Sequence, residues 1–285
     1  MDNGSKTSTL STTRTLTRPL AYLVVILVVL LVGLLWARAA VRPADYQLSI
    51  FQFGSVAFFE TSNLYYYLHL FTFVPVFLLS FDRRVHFYTR WPALLPAIAI
   101  VGAFFILWDV FFTYLHVWGF NDTYFAGTTF LHLPIEEWLF FFTVPYACVF
   151  IYACLNYYLP KDYLAPYERY ITPGLALLLF VLGLLNWDQL YTATTFLLTA
   201  SFLFYHWCFI PNTYRSRFYL AYLVSIIPFL IVNGVLTGGF TEQPVVMYNP
   251  LDNFGIRIGS VPIEDTVYSL LMLIGVTTFM EHFEK

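Results

Sequence analysis

The stretch Pro134-Ile135-Glu136-Glu137-Trp138-Leu139-Phe140-Phe141-Phe142 places two adjacent carboxylates at the head of a long apolar run. The run continues to about residue 158, which is long enough for a helix that crosses a bilayer. Acidic side chains at membrane depth are costly and by default indicate a functional site. The stretch therefore predicts a membrane helix that begins with a candidate site.

The same pattern returns 128 residues further on, as Pro262-Ile263-Glu264-Asp265 at the head of a second apolar run. The offset holds without a gap through the loop that precedes each run. It relates Asn121 to Asn249, Gly127 to Gly255, Phe120 to Tyr248 and Phe140 to Tyr268. The sequence therefore contains an internal duplication, with an acid-headed helix in each half.

The composition is that of a polytopic membrane protein. Of the 285 residues, 59% are hydrophobic and only 11% are charged, and the mean hydropathy is +0.69. Aromatic residues make up 21% of the chain, enough for interfacial belts and for the lining of an interior cavity. The net charge of −3 and the lack of a basic run argue against nucleic acid as a partner.

The N-terminal part divides into a tail and one apolar run. Residues 1–19 are rich in Ser and Thr and predict a disordered cytoplasmic tail. Residues 20–36 are apolar and are followed by Ala37-Arg38-Ala39-Ala40, which resembles a signal-peptide cleavage site. Because the run is long for a signal peptide, an uncleaved membrane anchor is the favoured interpretation.

The remaining apolar runs predict an all-α, polytopic transmembrane bundle of seven or eight helices. With the N-terminus inside, the outer segments hold only Arg38, Arg42 and Arg257, and all other Lys and Arg residues lie inside, as the positive-inside rule requires. The predicted runs after the first are 62–81, 93–115, 131–158, 171–186, 189–210, 217–236 and 262–281.

Two three-helix repeats and a linking helix account for these runs. Because four helices separate equivalent runs, the repeats are predicted to be parallel, with their relating axis along the membrane normal. Both acid pairs then lie at the outer end, under lids formed by loops 116–130 and 237–261. The predicted units are an N-terminal part (1–60), a first repeat (61–160), a linking helix (161–188) and a second repeat (189–285).

The acid pairs have a structural and a catalytic interpretation. In the structural one, the carboxylates only cap helices and hold loops. Helix dipoles favour the ionised form of a carboxyl group by ~0.3–2 kcal/mol. Burial beside a second carboxylate favours the protonated form and can raise the pKa by up to ~3–5 units. If the sites are buried, each pair is expected to hold at least one proton and to titrate as a unit. A buried acid among aromatic rings suits protonation of an apolar nucleophile, because aromatic faces stabilise cations.

Several other chemistries are not indicated. The sequence has no dinucleotide fingerprint, no paired histidine clusters of the di-iron type and no nucleophile elbow. No cofactor and no metal site are predicted. Asp109 falls on Thr237 at the 128-residue offset, so it is expected to assist one site only. Asn233 suits a helix–helix hydrogen bond as well as a site.

The doubled acid motif, in two halves of three helices, resembles the small integral-membrane lycopene cyclases. Further matches are Trp108-Asp109, Trp118-Gly119-Phe120, Asn233-Gly234-Val235-Leu236-Thr237 and Tyr248-Asn249-Pro250. The resemblance covers about residues 60–284. In that family the halves are separate polypeptides in some organisms and fused in others, as they are here.

The resemblance implies proton-initiated cyclisation of lycopene, or a related acyclic carotenoid, to β-ionone rings, with no net redox change. Glu136 and Glu264 are predicted proton donors, and Glu137 and Asp265 are predicted to tune them or to accept the final proton; the reverse assignment stays open. The predicted substrate-binding residues are Trp108, Asp109, Trp118, Phe120, Asn121, Phe140, Asn233, Tyr248, Asn249 and Tyr268.

Two other functions stay open from the sequence: a proton-coupled transporter, and a non-catalytic pigment-binding protein. The expected surroundings are membrane lipid in a prokaryotic cytoplasmic membrane, and the resemblance leaves room for association with other carotenoid enzymes.

Overall fold

The computed structural model describes residues 31, 33, 43–46, 52–211 and 214–285. Within these ranges the chain is an all-α bundle, as predicted. The anchor or signal peptide predicted for residues 20–36 lies outside the described residues, apart from positions 31 and 33. The α-helices are α1 (Leu64–Leu79), α2 (Trp91–Tyr114), α3 (Ile135–Tyr158), α4 (Glu168–Leu185), α5 (Leu190–Phe209), α6 (Arg215–Leu236) and α7 (Ile263–Phe283).

The helices correspond to the predicted apolar runs, and five of them are long and apolar enough to cross a membrane. These are α2, α3, α4, α6 and α7; α1 is a shorter apolar helix. In the centre of the bundle, α3 contacts α7. Around them, α1 and α6 pack on α3, while α2 and α5 pack on α7. Each acid-headed helix is therefore flanked by one helix from each half.

The start of α3 differs from its prediction. The apolar run suggested a helix from residue 131, but residues 129–134 form a hairpin of β2 (Thr129–Phe130) and β3 (Leu133–Pro134). Its two turn residues, Leu131 and His132, have φ angles of 51° and 67°, in the left-handed region that a helix excludes. In the second half, β5 (Arg257–Ile258) and β6 (Val261–Pro262) form the corresponding hairpin before α7.

The two lid loops also pair with each other. The strands β1 (Trp118–Phe120) and β4 (Val246–Tyr248) form an antiparallel ladder in which Gly119 faces Met247. Met247 is the residue that the duplication assigns to Gly119. A residue can face its own repeat in an antiparallel pair only if a two-fold axis passes between them.

Backbone hydrogen bonds beyond the ladder follow the same symmetry. The amide of Asn121 donates to the carbonyl of Val245, and the amide of Asn249 donates to the carbonyl of Val117, both at 2.9 Å. Each bond is the repeat of the other. The halves are therefore parallel repeats about an axis that runs along the bundle, as the sequence predicted, and the short strands that join them were not predicted.

A buried ion pair attaches α4 to the second half. At the end of the bundle opposite the loops, the Arg215 guanidinium contacts the Glu168 carboxylate of α4, and both side chains are buried. Arg215 Nη1 also donates to His206 Nδ1 at 2.7 Å, and α4 packs along α5. Because a buried charge that loses its partner costs ~3–5 kcal/mol, this network fixes the linking helix in place.

Charges are distributed unequally between the two ends of the bundle. Among the described residues, the loop end carries Arg257 as its one basic Lys or Arg residue, together with several carboxylates. The opposite end carries Arg83, Arg84, Arg90, Lys161, Arg169, Arg215, Arg217 and Lys285. Since basic residues accumulate on the cytoplasmic side, we expect the loop end to face away from the cytoplasm.

Cysteine labelling tests this orientation. In a background without Cys148, Cys154 and Cys208, we expect a membrane-impermeant maleimide to label Asp122→Cys and Glu242→Cys on intact cells, because both positions are exposed in the lid loops. The exposed position Tyr163→Cys, at the opposite end, should react only after the cells are permeabilised. The reverse pattern would place the acids near the cytoplasmic leaflet.

Candidate active site

The acid pairs lie in the first turns of α3 and α7, and all four side chains are buried. Glu136 and Glu264 are the second residues of these helices, and both are 0% exposed. Glu137 and Asp265 follow them and are 8% and 4% exposed. The proline before each helix, Pro134 or Pro262, has an extended conformation that directs the chain into the first turn.

The first acid of each pair holds a lid loop. Glu136 Oε1 accepts a hydrogen bond from the backbone amide of Ala126 at 2.9 Å. Glu264 Oε1 accepts one from the amide of Phe254 and one from the hydroxyl of Thr192, both at 2.5 Å. Ala126 and Phe254 are equivalent in the duplication. These contacts are those of the structural interpretation, in which a carboxylate holds a loop.

The second acid of each pair is bonded by side chains instead. Glu137 Oε2 accepts a hydrogen bond from the hydroxyl of Tyr65 at 2.5 Å. Asp265 Oδ1 accepts one from Tyr191 at 2.6 Å. Its other oxygen accepts one from Asn233 Nδ2 at 2.6 Å and one from the hydroxyl of Tyr248 at 2.9 Å.

Among these hydrogen-bond donors to Asp265, the Tyr248 hydroxyl stays protonated. It lies in β4, outside the membrane-spanning helices, and burial together with the nearby Asp265 carboxyl raises the pKa of its phenol well above the usual range. The phenol therefore stays protonated and donates a hydrogen bond to Asp265 Oδ2.

Glu137 and Asp265 meet at one cavity on the two-fold axis, with a volume of about 50 Å³. The acids do not form two separate sites; the halves contribute one carboxylate each to a shared space. Asp109 Oδ1, which accepts a bond from Trp118 Nε1 at 2.5 Å, adds a third carboxyl group. The lining is Tyr65, Asp109, Trp118, Phe120, Glu137, Phe140, Phe141, Tyr191, Phe229, Asn233, Leu236, Val246, Tyr248, Asp265, Tyr268, Ser269 and Met272.

Most of the predicted substrate-binding residues line this cavity, and three do not. Trp108 lies behind the wall, where its ring packs against Tyr268 at a centroid distance of 5.0 Å. Asn121 and Asn249 shape the loops, since the side-chain oxygen of each accepts a hydrogen bond from the amide two residues later. Those that do line it are Asp109, Trp118, Phe120, Phe140, Asn233, Tyr248 and Tyr268.

The two tyrosines that bind the second acids are not among the residues predicted from the sequence. Tyr65 and Tyr191 are each the second residue of their helix, α1 or α5. They are 126 residues apart, so a search at a fixed offset of 128 does not pair them. Realigning the repeats helix by helix would have revealed them.

A different shift, to an offset of 124 residues, changes the partner of Asp109. Counted from the first residues of α2 and α6, Asp109 occupies the same position as Asn233, not that of Thr237. Both side chains line the cavity. Asp109 therefore has a counterpart, and Asn233 combines the two predicted roles, because its helix–helix bond is made to a site carboxylate.

These features define an integral-membrane helix bundle with a duplicated, aromatic-walled acid site. The model of the lycopene cyclase family matches residues 62–155 and 188–283, one segment for each repeat. The chain belongs to this family, with its two halves fused, and is an enzyme of carotenoid cyclisation. No curated protein and no solved structure matches the chain.

Because Glu136 and Glu264 hold the lid loops with different numbers of hydrogen bonds, their removal is expected to lower the stability of the protein by different amounts. Glu264→Leu removes the acceptor of the buried Thr192 hydroxyl and of the partly buried Phe254 amide, whereas Glu136→Leu removes the acceptor of one partly buried amide. At ~1–3 kcal/mol for each unsatisfied group, we expect Glu264→Leu to lower the melting temperature in detergent more than Glu136→Leu does. Glu136→Gln and Glu264→Gln keep an acceptor oxygen and are the matched controls. Equal melting of the Leu and Gln variants would show that these bonds do not hold the loops.

Proposed function

We propose that this chain is a lycopene β-cyclase, which converts the acyclic end groups of lycopene into β-ionone rings and so produces γ- and β-carotene. The observation that supports this most is the meeting of Glu137 and Asp265, one from each half, at a single cavity walled by aromatic rings. Family membership supports a carotenoid as the substrate class.

The reaction needs one acid and one base. A carboxyl group transfers its proton to the terminal double bond of the end group, which leaves a tertiary cation. The electron pair of a second double bond attacks this cation, closes the ring and leaves a tertiary cation within it. A carboxylate then removes a ring proton, and a double bond forms. Substrate and product are isomers, so the reaction itself needs no redox cofactor.

The contacts of the second acids favour Glu137 as the proton donor and Asp265 as the base. Hydrogen bonds donated to a carboxylate favour its ionised form. Asp265 accepts three such bonds, from Tyr191, Tyr248 and Asn233, whereas Glu137 accepts one. Asp109 places a third carboxyl group at the same cavity.

This assignment is the reverse of the one we favoured from the sequence. Glu136 and Glu264 are bonded to loop amides and do not line the cavity. One oxygen of each, Oε2, is buried without a hydrogen-bond partner among the described residues. In this proposal the first acids hold the lids and the second acids transfer protons.

The aromatic wall suits a cationic intermediate. The Tyr268 ring contacts Phe105 and Trp118 edge-on, at centroid distances of 4.7 and 6.1 Å. Aromatic faces contribute up to ~2 kcal/mol each to a desolvated cation. The Tyr268 hydroxyl is buried and has no hydrogen-bond partner within the described part of the chain, so its oxygen can face the intermediate.

The cavity must widen to accept a substrate. Its volume of about 50 Å³ is well below the ~300–1,000 Å³ typical of ligand sites. Aromatic side chains of the wall must therefore rotate when the end group enters. Binding would displace water and leave the carboxyl groups in an apolar surrounding.

The membrane that contains the enzyme and the source of its substrate are part of the same proposal. Lycopene is insoluble in water, so we propose that it reaches the enzyme from the lipid of a prokaryotic cytoplasmic membrane, where other carotenoid enzymes supply it. Expression in a lycopene-accumulating host, with pigment analysis, separates a cyclase from a transporter or a pigment-binding protein. Only a cyclase converts lycopene into γ- or β-carotene.

The acid assignment predicts different effects within each pair. In that host, we expect Glu137→Gln and Asp265→Asn to lower cyclisation by about 10²-fold or more, since general acid–base groups typically contribute ~10²–10⁴-fold. Glu136→Gln and Glu264→Gln should retain activity within about tenfold of the unsubstituted chain, because they keep the loop acceptors. Protein levels are measured by immunoblot. Full activity in both Glu137→Gln and Asp265→Asn would reject the assignment.

The source of the added proton is a second test. A carboxyl proton exchanges with water between turnovers, so cyclisation in D₂O should leave one solvent deuterium in each ring. The measurement is the product mass after turnover by purified protein in liposomes. A parallel reaction in H₂O corrects for natural isotopes. Rings without deuterium would exclude a solvent-exchangeable acid as the initiating group.

A further inference from the structure

An apolar groove lies on the side of the bundle next to the acid cavity. It is formed between α1 and α6, with α3 as its floor, and has a volume of about 290 Å³. Phe71 and Ile231 at its edges are 69% and 58% exposed, so the groove is open to its surroundings. Ligand sites typically have volumes of ~300–1,000 Å³, and the groove is close to that range.

The groove and the acid cavity share three wall residues: Phe140, Phe229 and Asn233. Phe140 and Phe229 are each 8% exposed. Asn233 Nδ2 donates to Asp265 Oδ2 at 2.6 Å. A molecule in the groove is therefore separated from the carboxyl groups only by side chains that belong to both spaces.

The equivalent position on the other side of the two-fold axis is closed. Counted from the helix starts, Val232 of α6 corresponds to Trp108 of α2, and Phe229 corresponds to Phe105. Trp108 is 0% exposed and packs against Tyr268, the repeat of Phe140, at 5.0 Å. The indole of Trp108 thus fills, beside α2, the space that the smaller Val232 leaves open beside α6.

We propose, building on the cyclase function above, that the groove binds the polyene chain of the carotenoid and that Phe140 and Phe229 form the gate to the carboxyl groups. The lining supports a hydrocarbon occupant, because it is apolar apart from Thr72, Cys148 and Asn233. The wall that it shares with the acid cavity explains how a long, water-insoluble chain reaches Glu137 and Asp265 from the lipid once the gate opens. With one side open, the two ends of a substrate react one after the other.

The asymmetry between Val232 and Trp108 provides the test. Val232→Trp places on the open side the residue that closes the other side. We expect it to lower cyclisation at least tenfold, while Leu223→Trp, at an exposed position of the same helix, stays within twofold. Ile231→Trp, at the exposed edge of the groove, should also lower cyclisation and keeps the test valid if Val232→Trp does not fold.

Binding is measured apart from catalysis in the inactive Glu137→Gln background. The readout is the absorbance of lycopene that remains with the purified protein, per mole of protein. We expect Val232→Trp to reduce bound lycopene at least fivefold and Leu223→Trp to leave it unchanged. Thr129→Trp narrows another space, at the loop end, which Thr129, Tyr114 and Met247 line, and should have no effect.

The outcomes separate this proposal from the function on which it rests. If the unsubstituted chain forms no cyclised product, the proposed function fails. If the unsubstituted chain cyclises lycopene, and Val232→Trp and Ile231→Trp bind and cyclise it equally well, the groove holds only lipid acyl chains. That result would overturn this proposal. A loss with Thr129→Trp alone would place the entrance at the loop end, which also overturns it.

Discussion

Carboxyl groups buried at membrane depth are the constraint on which the rest of this structure depends. An ionised carboxylate without partners costs several kcal/mol in an apolar interior, so each of these groups needs donors, and the fold supplies them from separate elements. Backbone amides of the lid loops bind Glu136 and Glu264, and tyrosines from α1 and α5 bind Glu137 and Asp265. The loops, the hairpins and the first turns of four helices are thus held in place by the acids.

The two-fold pairing of the loops turns a duplication into a single site. In one repeat alone, the second acid would face open space. The β1–β4 ladder places the other repeat opposite it, so that each half supplies the opposite wall of the cavity for the carboxyl group of the other half. This geometry accounts for family members in which the halves are separate polypeptides, because the site requires both halves but no covalent link between them.

Within that symmetry the halves differ where the proposed acid–base reaction needs them to differ. Asp109 of one half corresponds to Asn233 of the other, and Glu137 with one donor corresponds to Asp265 with three. Trp108 seals one flank and Val232 leaves the other open. A strictly symmetric site would have two equal acids and no distinct base, whereas these differences support the acid, the base and the single entrance that we propose.

The sequence by itself determined the membrane class, the helices, the parallel duplication and the acid pairs. These follow from apolar length, charge distribution and a repeat in which the acid motifs and the loops before them align without gaps. It could not assign Tyr65 and Tyr191, or pair Asp109 with Asn233, since the helices of the two halves align at offsets that differ from that of the motif. Nor could it distinguish Glu136 from Glu137. Adjacent residues in a first turn project in directions about 100° apart, and only the packing of α1, α5 and the loops against α3 and α7 decided which carboxyl group faces a backbone amide and which faces the cavity.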